Sequence, residues 1–309
     1  MTLSLRRNSG SEYVGLDVDG SYLAVAQLSG GTLQRAVSRD LEHGVVEEGD
    51  VKDPEALGEA LKDFFRNERL PRRVRLGVAN QQILVRHLDM PVIDDRKERD
   101  AAVRFQTAEA VAMPLEEAVI DYQVVGETHA ADGGRRSRVM VVAARKAMVE
   151  RLAQAVRSAG LRPEGIDLSA FALVRALASG APTESVTRVY CHLGGVANLA
   201  VASGSNCHFA RPLATRWDDG AGDVESLGEE LQLSIDHYRT QSEAPAAEDL
   251  VLSGPGARND GVAEAIGSLV RMRVSVADPL GAIAAPALGD HEDPFRHMVS
   301  VGLAMGAAA

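Results

Sequence analysis

The sequence predicts an α/β fold made of two similar halves, with a small subdomain inserted into the first half. A strand, a glycine-containing turn and a second strand open the chain, and the same pattern returns about 175 residues later, which indicates a duplicated fold. Strands alternate with amphipathic helices over most of the chain. A strand–helix–strand–strand block of about 60 residues interrupts this alternation, which indicates an insertion.

Composition narrows the class of protein. The 309 residues suit two domains or one large duplicated fold. The formal net charge of -11 and the aromatic content of 4% argue against non-specific nucleic-acid binding. No apolar run is long enough to cross a membrane, and residues 1–12 indicate a flexible lead rather than a secretory signal. We therefore expect a cytoplasmic protein with two buried thiols, Cys191 and Cys207.

The first half is predicted over residues 13–81 and 145–185. Its opening strands are joined by the turn Asp19-Gly20-Ser21, which is typical of a hairpin. Asp53 and Pro54 suit the N-cap and the first position of a helix. The other predicted elements are strands 13–18, 22–28, 33–39, 74–79 and 163–167 and helices 146–159 and 169–179, with Gly160 as a C-cap and a break at 180–182.

The inserted subdomain is predicted over residues 82–144. It consists of strand 83–91, helix 94–112, and strands 117–125 and 138–144, with a polar, glycine-containing loop over 127–136.

The second half is predicted over residues 186–309. It begins with strands at 187–193, 199–202 and 207–212. Then follow helix 224–241, strand 250–253, a glycine-rich turn at 254–256, helix 261–270, strand 274–276 and helix 298–305.

Three short turns follow predicted strands, at 17–21, 192–195 and 253–256. Each alone is typical of an ordinary hairpin. Together they are similar to the actin, Hsp70 and sugar kinase architecture, in which two turns hold phosphates and a third lies behind the adenosine. Glycines let backbone N–H groups approach phosphate oxygens, and a nearby aspartate helps to hold hydrated Mg²⁺.

Four stretches add a more specific resemblance. The first is the opening turn at 14–21, and the second is the inserted block at 85–91, 102–105 and 113–126. The third, at 141–146, 159–161 and 167–173, returns to the first half, and the fourth, at 252–254, 278–279 and 301–304, ends the chain's second half. Across residues 13–309 the chain resembles the PilM family of actin-like type IV pilus assembly proteins, relatives of the cell-division protein FtsA.

The resemblance implies a duplicated actin-like fold, and the short spacing after Arg216 predicts a largely reduced subdomain in the second half. It also implies ATP and Mg²⁺ as cofactors. The positions that match the nucleotide site are Asp17, Asp19, Gly20, Ser21, Gly194, Gly195, Asn198, Gly254 and Gly256, with Asp17 a metal candidate through water.

The resemblance further implies a scaffold at the inner face of the cytoplasmic membrane, in a type IV pilus or a type II secretion-like system. Its expected partners are the N-terminal peptide of a PilN-like bitopic membrane protein and other inner-membrane platform proteins. The family's peptide groove lies between the first half and the inserted subdomain. The residues expected on or near it are Val85, Arg86, Leu88, Val103, Phe105, Tyr122 and Val124. An aromatic side chain in a helix is also typical of a hydrophobic core, so Phe105 is alternatively a core residue.

The departures from the family pattern concern the nucleotide site. His192 stands where the family has an aspartate, and Asn198 where it has a hydroxyl residue. Asp19 and Pro255 replace glycines, and only about a dozen residues separate Arg216 from Glu229, where relatives place most of a subdomain. An extra carboxylate repels phosphate unless it binds a metal. These departures disfavour efficient ATP hydrolysis and leave ATP binding open.

Three alternatives remain. One is a nucleotide-free adapter of the same family. A second is a small-molecule kinase of the superfamily, which needs a catalytic base and a deep cleft. A third is a division-type filament, which the shortened second half disfavours. The scattered histidines suggest no metal site.

Overall fold

The computed structural model describes residues 13–129, 133–179, 186–218, 221–241, 244–278, 288 and 292–306. The predicted lead over 1–12, the break at 180–182 and the C-terminal residues 307–309 lie outside the described residues. The strands are β1 Val14–Val18, β2 Tyr22–Ser29, β3 Thr32–Asp40, β4 Val46–Glu47, β5 Asp50–Val51, β6 Arg73–Val78, β7 Ile83–Pro91, β8 Ala118–His129, β9 Arg135–Arg145, β10 Arg162–Leu168, β11 Thr187–His192, β12 Asn198–Ser203, β13 Asn206–Pro212, β14 Trp217–Asp218, β15 Ala221–Gly222, β16 Asp249–Ser253 and β17 Arg273–Val276.

The helices begin and end close to the predicted positions. They are α1 Pro54–Asn67, α2 Arg96–Ala110, α3 Lys146–Ser158, α4 Ser169–Leu177, α5 Val224–Arg239, α6 Val262–Val270 and α7 Met298–Ala304. Short 3₁₀ helices lie at Leu115–Glu117, Pro255–Arg258 and Pro294–Arg296. None of the helices in the described part of the chain is long and apolar enough to cross a membrane.

Two five-stranded sheets share one strand order. The first runs β3-β2-β1-β6-β10 and the second β13-β12-β11-β16-β17. In both sheets the first three strands are antiparallel neighbours and the last two join in parallel. The predicted duplicated α/β fold is therefore confirmed, and the opening strand of each half lies at the centre of its sheet.

The chain divides into two compact units. The smaller unit comprises Gln82–Arg151, and the larger unit contains the other described residues, including both five-stranded sheets. In the larger unit, the second sheet buries a continuous apolar core with α5 and α6. Near the first sheet, Ala172 of α4 packs against Val299 and Leu303 of α7.

The smaller unit is a three-stranded antiparallel sheet in the order β7-β9-β8, with α2 on one face. Val103 of α2 packs with Met90, Val139 and Val141 of the sheet in a small buried cluster. Strand β9 is central, so β7 and β8 are the outer strands of this sheet. An outer strand exposes backbone hydrogen-bonding groups along one side.

Two predictions for the smaller unit were wrong in detail. Within the loop predicted over 127–136, residues 127–129 and 135–136 are strand, because β8 continues to His129 and β9 begins at Arg135. Cross-strand pairs such as Glu127 with Arg135 favour this extension, and polarity alone hid it from the sequence. The helix predicted over 94–112 is shorter, because the Asp95 carboxylate accepts the Glu98 N–H and fixes the start at Arg96.

Candidate functional site

A small cavity of about 30 Å³ lies within the larger unit, where the opening strands of the two halves end. Its polar lining comes from both halves: Asp17, Asp19 and Ser169 from the first and His192 and Asn198 from the second. Gly20 also lines it. A cavity of this size holds about two water molecules.

The strand register brings these groups together. Asp17 lies near the end of β1, opposite Ala24 of β2. His192 is the last residue of β11 and lies opposite Asn198 of β12. The turns at 19–21 and 193–197 follow directly, and Asp19 and Gly20 of the first and Val196 of the second line the same cavity.

Asp19 of the first turn binds the second turn directly. The Gly195 N–H donates to both carboxylate oxygens of Asp19, at 3.0 Å to Oδ1 and 2.9 Å to Oδ2. The Ser21 N–H also lies 3.4 Å from Oδ1 of Asp19. A Cβ on Gly195 would lie 2.5 Å from the Asp19 carboxylate and 2.9 Å from the Gly20 nitrogen, so only glycine permits this approach.

The two buried titratable groups of the cavity are both shifted towards neutrality. Burial raises the pKa of Asp17 well above its usual value, and the neighbouring Asp19 charge raises it further. Burial lowers the pKa of His192 to about 4. Nδ1 of His192 lies 3.3 Å from the Ser253 hydroxyl, whereas its Nε2 has no hydrogen-bond partner among the described residues.

The third turn is covered by a tryptophan. Gly254 has a φ of 88° and lies against the Leu193 backbone, a position that favours glycine. The Trp217 indole lies directly over Gly256 and also contacts Gly222. Trp217 is buried in the core of the second sheet.

The structure separates the predicted nucleotide-site residues into three groups. Asp17, Asp19, Gly20 and Asn198 line the cavity, although the Asn198 amide donates to the Val196 carbonyl at 2.7 Å and so closes its own turn. Ser21, Gly194 and Gly195 surround the Asp19 carboxylate. Gly254 and Gly256 lie at the third turn, against Leu193 and Trp217.

Sequence reasoning missed two contributors. Ser169 lines the cavity, and Trp217 lies on the short hairpin of β14 and β15 between β13 and α5. The only signal for Trp217 was that it is the single tryptophan of the chain. In the part of the chain that the structure describes, no group of three or more His, Cys, Asp or Glu side chains could hold a metal ion.

The seven residues predicted to bind a partner all lie in the smaller unit, in two environments. Val103 is buried, and Leu88 and Tyr122 pack against its cluster. Val85 is also buried. Arg86, Phe105 and Val124 are exposed. The three residues of this cluster therefore stabilise the subdomain, and the three exposed residues are accessible to a partner.

Phe105 is the most prominent apolar side chain of this surface. It is 70% exposed, so the alternative reading of Phe105 as a core residue was wrong. Val103 and Thr107 of α2 face the sheet, and Phe105 lies between them in sequence, on the opposite side of the helix. Ala101, Ala108 and Phe105 form an exposed apolar stripe on that side.

Comparison with solved structures defines the class of protein. A Bacteroides thetaiotaomicron protein with an actin-like ATPase fold superposes with a TM-score of 0.51 at 10% identity, over 87% of this chain and 91% of its own. The cytoplasmic domain of EpsL, an inner membrane component of the Vibrio cholerae type II secretion system, superposes with a TM-score of 0.53 at 11% identity, over 96% of this chain and 95% of its own. The fold is thus that of the actin-like ATPase class.

A PilM–PilN type IV pilus biogenesis complex is more similar, with a TM-score of 0.81 at 23% identity over 96% of this chain and 98% of the other. The family model of the type IV pilus assembly protein PilM matches residues 15–190, more than half of the chain. The chain therefore belongs to the PilM family, and the resemblance seen in the sequence is confirmed.

Proposed function

We propose that this protein is a scaffold of type IV pilus assembly that binds the cytoplasmic N-terminal tail of a PilN-like membrane protein through its smaller unit. Membership of the PilM family supports the pilus role. Similarity to a chain from a PilM–PilN complex supports the class of partner. Binding such a tail would hold the protein at the inner face of the cytoplasmic membrane.

The exposure of Phe105 is the observation that carries this proposal. Phe105 is 70% exposed within the apolar stripe of α2, and aromatic and arginine side chains are enriched among the residues that dominate interface energies. Arg86 is exposed on β7, where its guanidinium donates to the Val85 carbonyl at 2.9 Å. An extended tail could add to an outer strand of the β7-β9-β8 sheet by backbone hydrogen bonds, while side chains such as Phe105 supply apolar contacts.

The test is a binding titration with a labelled synthetic peptide of the PilN-like tail, followed by fluorescence anisotropy. We expect Arg86→Ala combined with Phe105→Ala to weaken binding at least about 30-fold, which corresponds to one interface hot spot of about 2 kcal/mol. The circular dichroism spectrum should not change, because both side chains are exposed.

Leu233 supplies a matched control. It is an apolar side chain on α5 in the larger unit and is 70% exposed, like Phe105. Leu233→Ala should leave tail binding unchanged. A double variant that is folded and binds with the wild-type affinity contradicts the proposal, as does an equal loss of binding in Leu233→Ala.

A further inference from the structure

The family resemblance implies a nucleotide in the cleft formed by the cavity and the three turns at 17–21, 192–195 and 253–256, and the residues there do not fit it. A phosphate at these turns needs free backbone N–H groups. The Gly195 N–H already donates to both oxygens of Asp19. A phosphate there would have to displace this carboxylate and would then meet its negative charge at short range.

The small volume of the cavity also disfavours a bound nucleotide. The cavity beside Asp19 has about 30 Å³, and no Cβ could be added at Gly77 on its wall without reaching within 3.0 Å of the Ser169 hydroxyl. At the third turn, a Cβ on Gly256 would lie 2.1 Å from the Trp217 indole nitrogen, so the indole occupies the space next to this glycine.

We infer that the cleft is closed by the protein's own side chains: the Asp19 carboxylate is the built-in ligand of the second turn, and Trp217 fills the third turn. Asp19 and Gly195 are 176 residues apart in sequence, so this contact ties the two halves of the duplicated fold together. Hydrogen bonds between N–H groups and an ionised carboxylate are among the stronger ones in proteins. Asp19 thus stabilises the closed arrangement that a bound nucleotide would otherwise have to stabilise.

This inference does not rest on tail binding, because all the residues involved lie in the larger unit. It distinguishes two roles for Asp19 that the sequence left open. A metal-binding Asp19 would support nucleotide binding, and its removal would abolish that binding. An Asp19 that occupies the second turn excludes phosphate, and its removal would release the Gly195 N–H.

The test uses the full chain and amide hydrogen exchange at Gly195. We expect exchange at this amide to be at least about tenfold faster in Asp19→Ala than in the wild type, since a hydrogen bond to a charged group is lost. Asp19→Asn, which keeps an acceptor oxygen but not the charge, should give an intermediate rate. Asp63→Asn, a change in an exposed carboxylate of α1 that pairs with Arg66, is the matched control and should not alter Gly195.

A second measurement uses the single tryptophan as a reporter. Titration of the wild type with Mg-ATP, and separately with inorganic phosphate, should leave Trp217 emission unchanged and give no saturable heat by calorimetry. Saturable Mg-ATP binding by the wild type overturns the inference, and so does unchanged Gly195 exchange in Asp19→Ala. If Asp19→Ala does not fold, the wild-type titrations and Asp19→Asn still decide the question.

Discussion

The two halves of the larger unit have the same strand order but different side chains at their turns. At an offset of about 175 residues, Asp17 of the first half corresponds to His192 of the second, and Asp19 corresponds to Gly194. One turn therefore supplies a carboxylate acceptor and the other supplies a bare glycine backbone with the donor at Gly195. The two halves therefore share one backbone arrangement, and a few side-chain differences make their turns complementary to each other.

The largest predicted effect is a difference in the free energy of unfolding between alanine variants of Gly20 and Gly195, which hold equivalent positions in the two halves. A Cβ on Gly195 would clash with Asp19 and the Gly20 nitrogen, whereas a Cβ on Gly20 would meet nothing nearer than the Val46 carbonyl at 3.7 Å. We expect Gly195→Ala to lower the free energy of unfolding by about 2–3 kcal/mol, the cost of overpacking a tight site. Gly20→Ala should change it by less than about 1 kcal/mol. Urea denaturation of both variants measures the difference, and equal effects would contradict the asymmetry of the turns.

The second prediction concerns the pH dependence of stability due to His192. Its pKa is about 4 in the folded protein, against an ordinary value of 6.5. The unfolded chain therefore takes up the proton first, so this contribution is complete above pH 6.5 and is lost as the pH falls towards 4. We expect about 2 kcal/mol to be lost between pH 7 and pH 5, and His192→Asn to lose much less. The same pH profile in both proteins would contradict the assignment.

The third prediction contrasts Asp17 with Asp19. The pKa of Asp17 is raised in the folded protein, so its favourable contribution is complete below the ordinary value of 3.8 and is lost as the pH rises through the folded value. Asp17→Asn removes the cost of a buried charge and should raise the free energy of unfolding at pH 7. Asp19→Asn should lower it. Urea denaturation at pH 7 tests both signs, and a destabilised Asp17→Asn would contradict the first.

The smallest predicted effect is the loss of stability on removing a helix N-cap, and it should be equal in the two halves. Asp53 caps α1 by accepting the N–H groups of Glu55 and Ala56, and Asp223 caps α5 in the same way. Each replacement by alanine should cost about 1 kcal/mol, the usual value of an N-cap. Thermal unfolding of the two variants checks this symmetry, and a cost several times larger in one half would show that the caps are not equivalent.

Much of the fold could be predicted because its signals are local. Asp53 followed by Pro54 fixed the start of α1, and the repeated strand–turn–strand pattern indicated the duplication. The extension of β8 to His129 could not be predicted, since it depends on pairing with β9 across a polar segment. The hairpin that carries Trp217 was missed because two-residue strands leave no periodic pattern.

The candidate site was predicted less completely than the fold. The glycine turns and the unusual Asp19 were visible in the sequence, but the contact of Asp19 with Gly195 depends on how the two halves approach each other. In the smaller unit, the matched block identified seven residues without separating the buried Val103 from the exposed Phe105. That separation depends on which side of α2 packs against the sheet, and the weak amphipathic pattern of α2 does not decide it.

The most direct test of the account is the affinity for the PilN-like tail, measured by calorimetry on the full chain with and without Mg-ATP. The account has side chains of the protein closing the cleft and the smaller unit binding the tail. Nucleotide then has no binding site from which it could change the affinity for the tail. The account predicts tail binding without nucleotide and a Kd that stays within about twofold when Mg-ATP is added. Binding that requires Mg-ATP, or becomes at least about tenfold tighter with it, would contradict the account.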